Sequence, residues 1–407
     1  METKFIKRIV LILSLTFAGL LFIAAFPLTN YFGDAEEETK TIASADSLPD
    51  KHMQKEFNVK FGGRLTIDLR TGGMIEIEGW DKEVVDAQIT IEGSDAEDVQ
   101  LELEQNGNDV EIISFYDGDM ENGYHANTNI VVKIPNKYDI DFSTMGGGVK
   151  LDNLNGVLSG RTMGGELNLS HLRGMLNVST MGGNITVKDC EVDGEVQTMG
   201  GEVRVENVTG DLNAKTMGGK VKQVNVKSKK GNEGDEVNIS TMGGDIEVDE
   251  AMNGTKVRTM GGDITVNKAA KFVDAETYGG DIKIHSIDGS VSAETKGGDV
   301  SVNMAGDPNE GDRFVYITSF GGDIVLSVPS GLSMDIDIEI AFTKDKWRKN
   351  GDVKIISDFD IAQKTTDEWD DSKGSSRKYL RGKGEINGGK HKIKIRTING
   401  NVTLKKS

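Results

Sequence analysis

From residue 144 onward, apolar and polar residues alternate in short runs, and the runs recur on a fixed period. The tetrapeptide T-M-G-G begins at Thr144, Thr162, Thr180, Thr198, Thr216, Thr241 and Thr259. It continues as Thr277-Tyr-Gly-Gly, Thr295-Lys-Gly-Gly and Ser319-Phe-Gly-Gly, with spacings of 18, 18, 18, 18, 25, 18, 18, 18 and 24. The two irregular intervals absorb polar insertions, 227–236 and 304–312, without resetting the pattern. With the repeat Thr as position 0, position +5 runs Val149, Leu167, Ile185, Val203, Val221, Ile246 and on to Ile324. Position +7 is nearly as pure, from Leu151 and Leu169 to Val302 and Leu326, and position +10 holds Leu154, Leu172, Cys190 and Val208. Positions +14 and +16 add residues such as Leu176 and Val178. Period-two alternation rich in Val and Ile and broken by Gly marks half-buried strands.

Two short strands and two corners per 18 residues cannot bury their apolar side alone. Stacking each copy on the last does so, with backbone hydrogen bonds running between copies. The pattern therefore predicts an all-β chain folded as a single-stacked β-solenoid, or β-helix, with 18-residue rungs. At about 4.8 Å per rung, ten rungs span roughly 45–50 Å. A β-propeller blade needs about 40–45 residues, more than twice this period. The flanks repeat the unit loosely, in Leu65–Ile77 and in Lys392–Leu404. Between Thr71 and Thr144 lie 73 residues, enough for about four looser rungs. One solenoid domain is expected over 53–407, with regular rungs at about 144–328 and irregular capping rungs at both ends, which must protect the edge strands.

The N-terminus bears on compartment. Lys4, Lys7 and Arg8 precede an uncharged apolar run from Ile9 to Phe26, as in an export signal. The run is long for a cleaved signal and near the lower limit for a spanning helix, so residues 1–30 read as a signal peptide or a signal anchor. No Cys follows the run, which excludes a lipid-anchored lipoprotein. Residues 31–52 read as an acidic disordered spacer. The chain beyond should lie outside the cytoplasm, in the bacterial cell envelope: periplasmic, membrane-anchored or on the surface.

Composition narrows the partners. Gly accounts for 51 of 407 residues against only 5 Pro, which excludes collagen and a Pro/Gly-rich disordered tract. A net charge of −19 repels phosphate backbones, so no nucleic-acid partner is expected. The lone Cys190 cannot form an intrachain disulfide and, at position +10, should be a buried packing residue.

The chain has no G-x-S-x-G, H-E-x-x-H, Walker or C-x-x-C motif. Its five His, at 52, 125, 171, 285 and 391, are scattered over unrelated repeat positions. The Gly-Gly pairs precede strands rather than helix N-termini, which argues against phosphate loops. An acidic column follows them: Glu166, Asn184, Glu202, Lys220, Asp245, Asp263, Asp281, Asp299 and Asp323. It reads first as a row of solvated turns, with weak divalent-ion binding and polysaccharide cleavage as alternatives. The basic run Lys227–Lys230 reads as a solvated loop. No catalytic, cofactor-binding or metal-binding residue is assigned. The remaining candidate is a stripe at position +1: Met145, Met163, Met181, Met199, Met217, Met242 and Met260. Strand parity points it outward, and Tyr278 and Lys296 stand in the same column. It is either a contact stripe or corner packing between rungs.

The motif set resembles that of the bacterial "putative adhesin" β-solenoid proteins of unknown function. The resemblance is carried by Gly72-Gly-Met-Ile-Glu-Ile-Glu-Gly-Trp-Asp81, the Val132-Lys-Ile-Pro135 strand before the first regular rung, the serial T-x-G-G-x-I-x-V units and the closing Thr397-Ile-Asn-Gly-Asn-Val-Thr-Leu404. It covers about residues 55–407 and implies a β-solenoid, export and an adhesive role, with no catalytic residues to carry over. Seven successive Met at one position are more uniform than that family's pattern. The expected function is an exported, non-enzymatic solenoid serving adhesion or as an envelope scaffold, binding a surface ligand or an envelope protein. Membrane contact through an uncleaved N-terminus and self-association are also open. The alternatives are a polysaccharide-acting β-helix enzyme and a filament-forming structural protein.

Overall fold

The apolar columns fold into two facing layers joined at corners, as the solenoid pattern requires. The structure is a computed structural model that describes residues 51–118, 124–227, 237–345, 353–372 and 374–407. The apolar run and the polar spacer up to residue 50 lie outside them, as do 228–236 of the first insertion. Among the described residues the first strand is Lys51–Asn58. Among the described residues no helix is long and apolar enough to cross a membrane.

Each regular rung gives one strand to each layer. Leu167–Ser170 lies in one and Arg173–Thr180 in the other, and each pairs in parallel with the strand 18 residues further on. Three rungs turn the corner opposite Gly-Gly without a break, as the 14-residue strands Ile185–Thr198, Ile264–Thr277 and Ile282–Thr295. The +5, +7 and +10 columns are buried between the layers, Cys190 among them. One rung breaks the apolar sequence: Gln223 takes position +7 between Val205 and Val248. It is 2% exposed, and neither amide atom has a partner among the described residues.

The ends differ from expectation. The first strands are β1 (Lys51–Asn58), β2 (Arg64–Leu69), β3 (Met74–Trp80), β4 (Val84–Glu92), β5 (Val99–Asn106), β6 (Asp109–Tyr116), β7 (Asn127–Pro135), β8 (Asp139–Thr144) and β9 (Val149–Asp152). The β2–β3 rung pairs directly with β8–β9, Leu69 opposite Thr144 and Ile75 opposite Val149. No four looser rungs separate them. Instead, β6 and β7 pair in parallel on the far side of β2 and β3, and β5, β4 and β1 add antiparallel strands outside that rung. The first rung of the chain is thus the second rung of the stack.

The C-terminus repeats the device. The last rung, His391–Ile398 with Val402–Lys406, slots between Val315–Val328 on one side and Met334–Thr343 with Ile355–Ser357 on the other. Charge fixes the insertion, because Asp335, Asp337 and Glu339 stand opposite Lys392, Lys394 and Arg396, with Arg396 and Asp337 2.5 Å apart. Opposite charges across a strand pair favour that register over a slipped one.

Candidate contact surface

The Gly-Gly corner is built by the repeat Thr and the second Gly. The Thr198 hydroxyl donates to the Gly183 carbonyl of the preceding rung at 2.8 Å and accepts the Gly201 N–H at 3.2 Å. The same pair of bonds recurs at Thr180, Thr216, Thr259, Thr277 and Thr295. Val in that place would leave buried backbone groups unpaired, at a cost of about 1–3 kcal/mol each. The second Gly is a matter of space: a Cβ on Gly201 would lie 2.0 Å from the Gly183 oxygen. The first Gly is less crowded: at Gly261, Gly279, Gly297 and Gly321 a Cβ would lie 3.2–3.3 Å from a carbonyl oxygen of the preceding rung, but the earlier rungs are open. A Cβ on Gly164 would meet nothing within 4 Å, and on Gly200 nothing nearer than 3.7 Å. Neither residue has a positive φ.

With Thr turned inward, position +1 must turn outward. All seven Met of the column are exposed, from 40% at Met217 to 59% at Met145. They run along the corner as a ridge that continues into Tyr278, Lys296 and Phe320, and the Lys296 ammonium lies 3.6 Å over the Tyr278 ring. Beside the ridge a groove of about 530 Å³ is lined by Met145, Met163, Met181 and Met199 on one wall and by Ser143, Arg161, Ser179 and Gln197 at position −1 on the other.

The acidic column flanks the ridge on its other side, beyond the bare first Gly. From Asp245 to Asp323 its carboxylates form a hydrogen-bonded ladder. The Asp245 carboxylate accepts the Asp263 N–H, Asp263 that of Asp281, Asp281 that of Asp299, and Asp299 that of Asp323, at 2.7–2.9 Å. Among the described residues no group of three or more His, Cys, Asp or Glu is arranged to hold a metal ion.

The opposite corner carries a column that the periodicity analysis passed over. Asn153, His171, Asp189, Asn207 and Asn225, all at +9, adopt left-handed backbone with φ of 52–57°. Their side chains bond along the stack, Asn225 to Asn207 at 2.9 Å and Asn207 to Asp189 at 2.8 Å. Residue type was the available signal, since Asn, Asp and His are the non-Gly residues that best tolerate this conformation. A cleft of about 650 Å³ opens here, with Asp152, His171, Arg173 and Glu191 on its walls. Asp152 is paired with His171 at 2.7 Å and Arg173 with Glu191 at 3.7 Å. Partial burial pushes the Asp152 carboxyl up, but hydrogen bonds from His171 and Ser170 outweigh it and the net direction is down. Burial pushes the Cys190 thiol up to about 11, which leaves almost no thiolate at neutral pH. The thiol of the cleft is therefore not an activated nucleophile.

A family model described as Toastrack DUF4097 matches residues 64–405. No curated protein matches the chain. Among solved structures, it is similar to a "putative cell adhesion protein" from Clostridium sporogenes at 11% identity, covering 88% of this chain and 100% of that one, with a TM-score of 0.19. It is similar to a "putative adhesin" from Bacteroides fragilis at 17% identity, covering 68% and 97%, with a TM-score of 0.25. A "putative lipid binding protein" from Parabacteroides distasonis matches at 12% identity, covering 87% and 96%, with a TM-score of 0.24. At these scores the likenesses carry no argument about function.

Proposed function

We propose, for a chain that belongs to the Toastrack DUF4097 family, a non-enzymatic role in adhesion or as an envelope scaffold outside the cytoplasm, with the Met ridge as its contact surface. The observation that carries the reading is the ridge itself: seven exposed Met in one unbroken column on a chain of net charge −19. Contiguous apolar surface on a soluble body marks a contact site, and flexible thioethers suit a face that meets another protein. The hydrogen-bonded ladder from Asp245 to Asp323 and the Asp152–His171 and Arg173–Glu191 pairs of the opposite cleft weigh against chemistry at either. The basic-then-apolar N-terminus supports export, and with it the envelope location.

The test replaces Met181, Met199 and Met217 together with Lys and measures binding of the full chain to bacterial envelopes. The expected result is an unchanged melting temperature with binding reduced at least tenfold. A protein that unfolds would show the column to be core. Incubation with acidic polysaccharide should release no new reducing or unsaturated ends, and their appearance would overturn the non-enzymatic reading.

A further inference from the structure

We infer that the Met ridge is the seam between two copies of this chain, side by side, parallel and in register, related by a twofold axis along the stack. The inference rests on reading the ridge as a contact surface and names what it contacts.

Size comes first. Seven Met at 40–59% exposure present about 600–700 Å² of apolar surface, close to the ~800 Å² that each partner of a standard interface buries. Pitch comes next. The ridge repeats once per rung, about 4.8 Å, and a second copy offers the same pitch along its whole length.

Shape then chooses the orientation. Along Met145, Met163, Met181 and Met199 the ridge has a groove on its −1 side. A twofold along the stack sets the ridge of each copy toward the groove side of the other. A twofold across the stack sets ridge against ridge. The first Gly deepens the fit: it stays Gly at 146, 164, 182, 200, 218 and 243, where a Cβ would meet nothing nearer than 3.5 Å and no φ is positive. Its missing side chain leaves backbone open to close approach on the ridge's other side.

Charge agrees. The +4 flank of the ridge carries Glu166, Glu202 and Asp263, whereas the −1 flank carries Arg161, Gln197 and Arg258 in the same three rungs. In the parallel pair each acidic residue faces the −1 residue of the other copy, and in the antiparallel pair acid faces acid. Lys215 facing Lys220 is the exception, and the Lys220 ammonium is already held by Glu247 at 2.9 Å. One rung beyond Arg258, which lies 3.2 Å from Glu276 of its own chain, the −1 flank turns acidic at Glu276 and Glu294, opposite Asp281 and Asp299. There the ridge stops being Met and becomes Tyr278 and Lys296. The apolar column ends where the flanks would repel.

The test uses the full chain with Met163→Cys, Met199→Cys or Met260→Cys and a short bis-maleimide cross-linker. The parallel, in-register pair predicts a covalent dimer from all three variants in similar yield, and none from the unsubstituted chain, whose Cys190 is buried. Dimer from Met199→Cys alone would mean an antiparallel pair centred on that rung and would overturn the orientation. No dimer from any variant, or an adduct of another mass, would overturn the second copy. Adding Met199→Lys to Met163→Cys should cut the dimer at least tenfold with the melting temperature unchanged, and an undiminished dimer would also overturn the seam. These outcomes read copy-to-copy contact alone. A chain that forms no dimer yet still binds envelopes through its Met ridge keeps the contact role and loses only this partner.

Discussion

The regular rungs and the two ends of the stack solve the same problem in opposite ways. In the middle, each strand finds its partner one period away, parallel and in register, from Leu167 opposite Ile185 to Ile282 opposite Val300. Nothing closes that arrangement, which would go on adding rungs. At the ends, the partner comes from far along the chain, and the direction of pairing reverses. The outer strands are then short, charged or clasped. Lys51 and Lys55 of β1 donate to the Val99 and Leu103 carbonyls of β5 at 3.0 and 2.9 Å. At the other end, the outer strand Ala362–Thr365 has four exposed residues and pairs antiparallel. Lysines and short strands at an edge block addition of another chain. Repetition therefore leaves the molecule an open, uniform side, and insertion gives it closed ends. Contact between molecules should be lateral.

The sharpest way to break this contrast is at the N-terminal insertion. Glu76 and Lys150 are 74 residues apart in sequence, yet stand opposite one another on β3 and β9. Cysteines at both positions should oxidise to an intramolecular disulfide nearly completely. Serial rungs would leave them far beyond disulfide reach, so a free-thiol product would refute the insertion.

Within the middle, two adjacent glycines should respond to the same substitution in opposite ways. Gly201→Ala drives a Cβ to 2.0 Å from the Gly183 oxygen and should cost more than about 3 kcal/mol by the measure of other strained core changes. Gly200→Ala meets nothing closer than 3.7 Å and should be neutral or gain up to about 1 kcal/mol by restricting the unfolded chain. Urea denaturation of the two variants checks both, and equal losses would contradict the division of labour at the corner.

Gln223 offers a smaller test of the middle. Gln223→Val restores the apolar column and removes two unpaired buried atoms, so it should stabilise by about 1–2 kcal/mol. A loss of stability would mean that the amide has a partner after all.

The smallest effect belongs to the C-terminal insertion. His391 is buried where the last rung docks; its Nδ1 accepts the Arg313 N–H at 3.3 Å, and its Nε2 has no partner among the described residues. Burial, then the charges of Lys390 and Arg313, push its pKa below 6.5, against the opposing pull of Asp312. The unfolded chain thus takes up the proton more readily than the folded one. The stability linked to His391 is complete above about pH 6.5 and declines as pH falls through the folded value. His391→Gln should flatten the fall in melting temperature between pH 7 and 5, and an unchanged slope would contradict this assignment.

The middle was legible in the sequence because its spatial neighbours are also period neighbours: a column of Ile and Val at +5 states strand, register and burial at once. The outward turn of Met181 followed from the same parity. The inserted rungs were not legible, because Leu65–Ile77 carries the repeat motif without saying which rung it will join. Cross-strand charges such as Glu76 with Lys150 favour that choice, and they are visible only once the strands are side by side. The Thr hydroxyl ladder was hidden in plain view, since the Thr served as a marker of phase and not as a donor. The left-handed +9 corner needed residue chemistry where hydropathy was read.

Lateral contact through the open side is the central claim, and electron microscopy of the full chain tests it most directly. The account predicts pairs of stacks lying side by side, at twice the width and the same length as one stack, which separate when Met181, Met199 and Met217 are replaced by Lys. Strings joined end to end, or single stacks at every concentration, would contradict it.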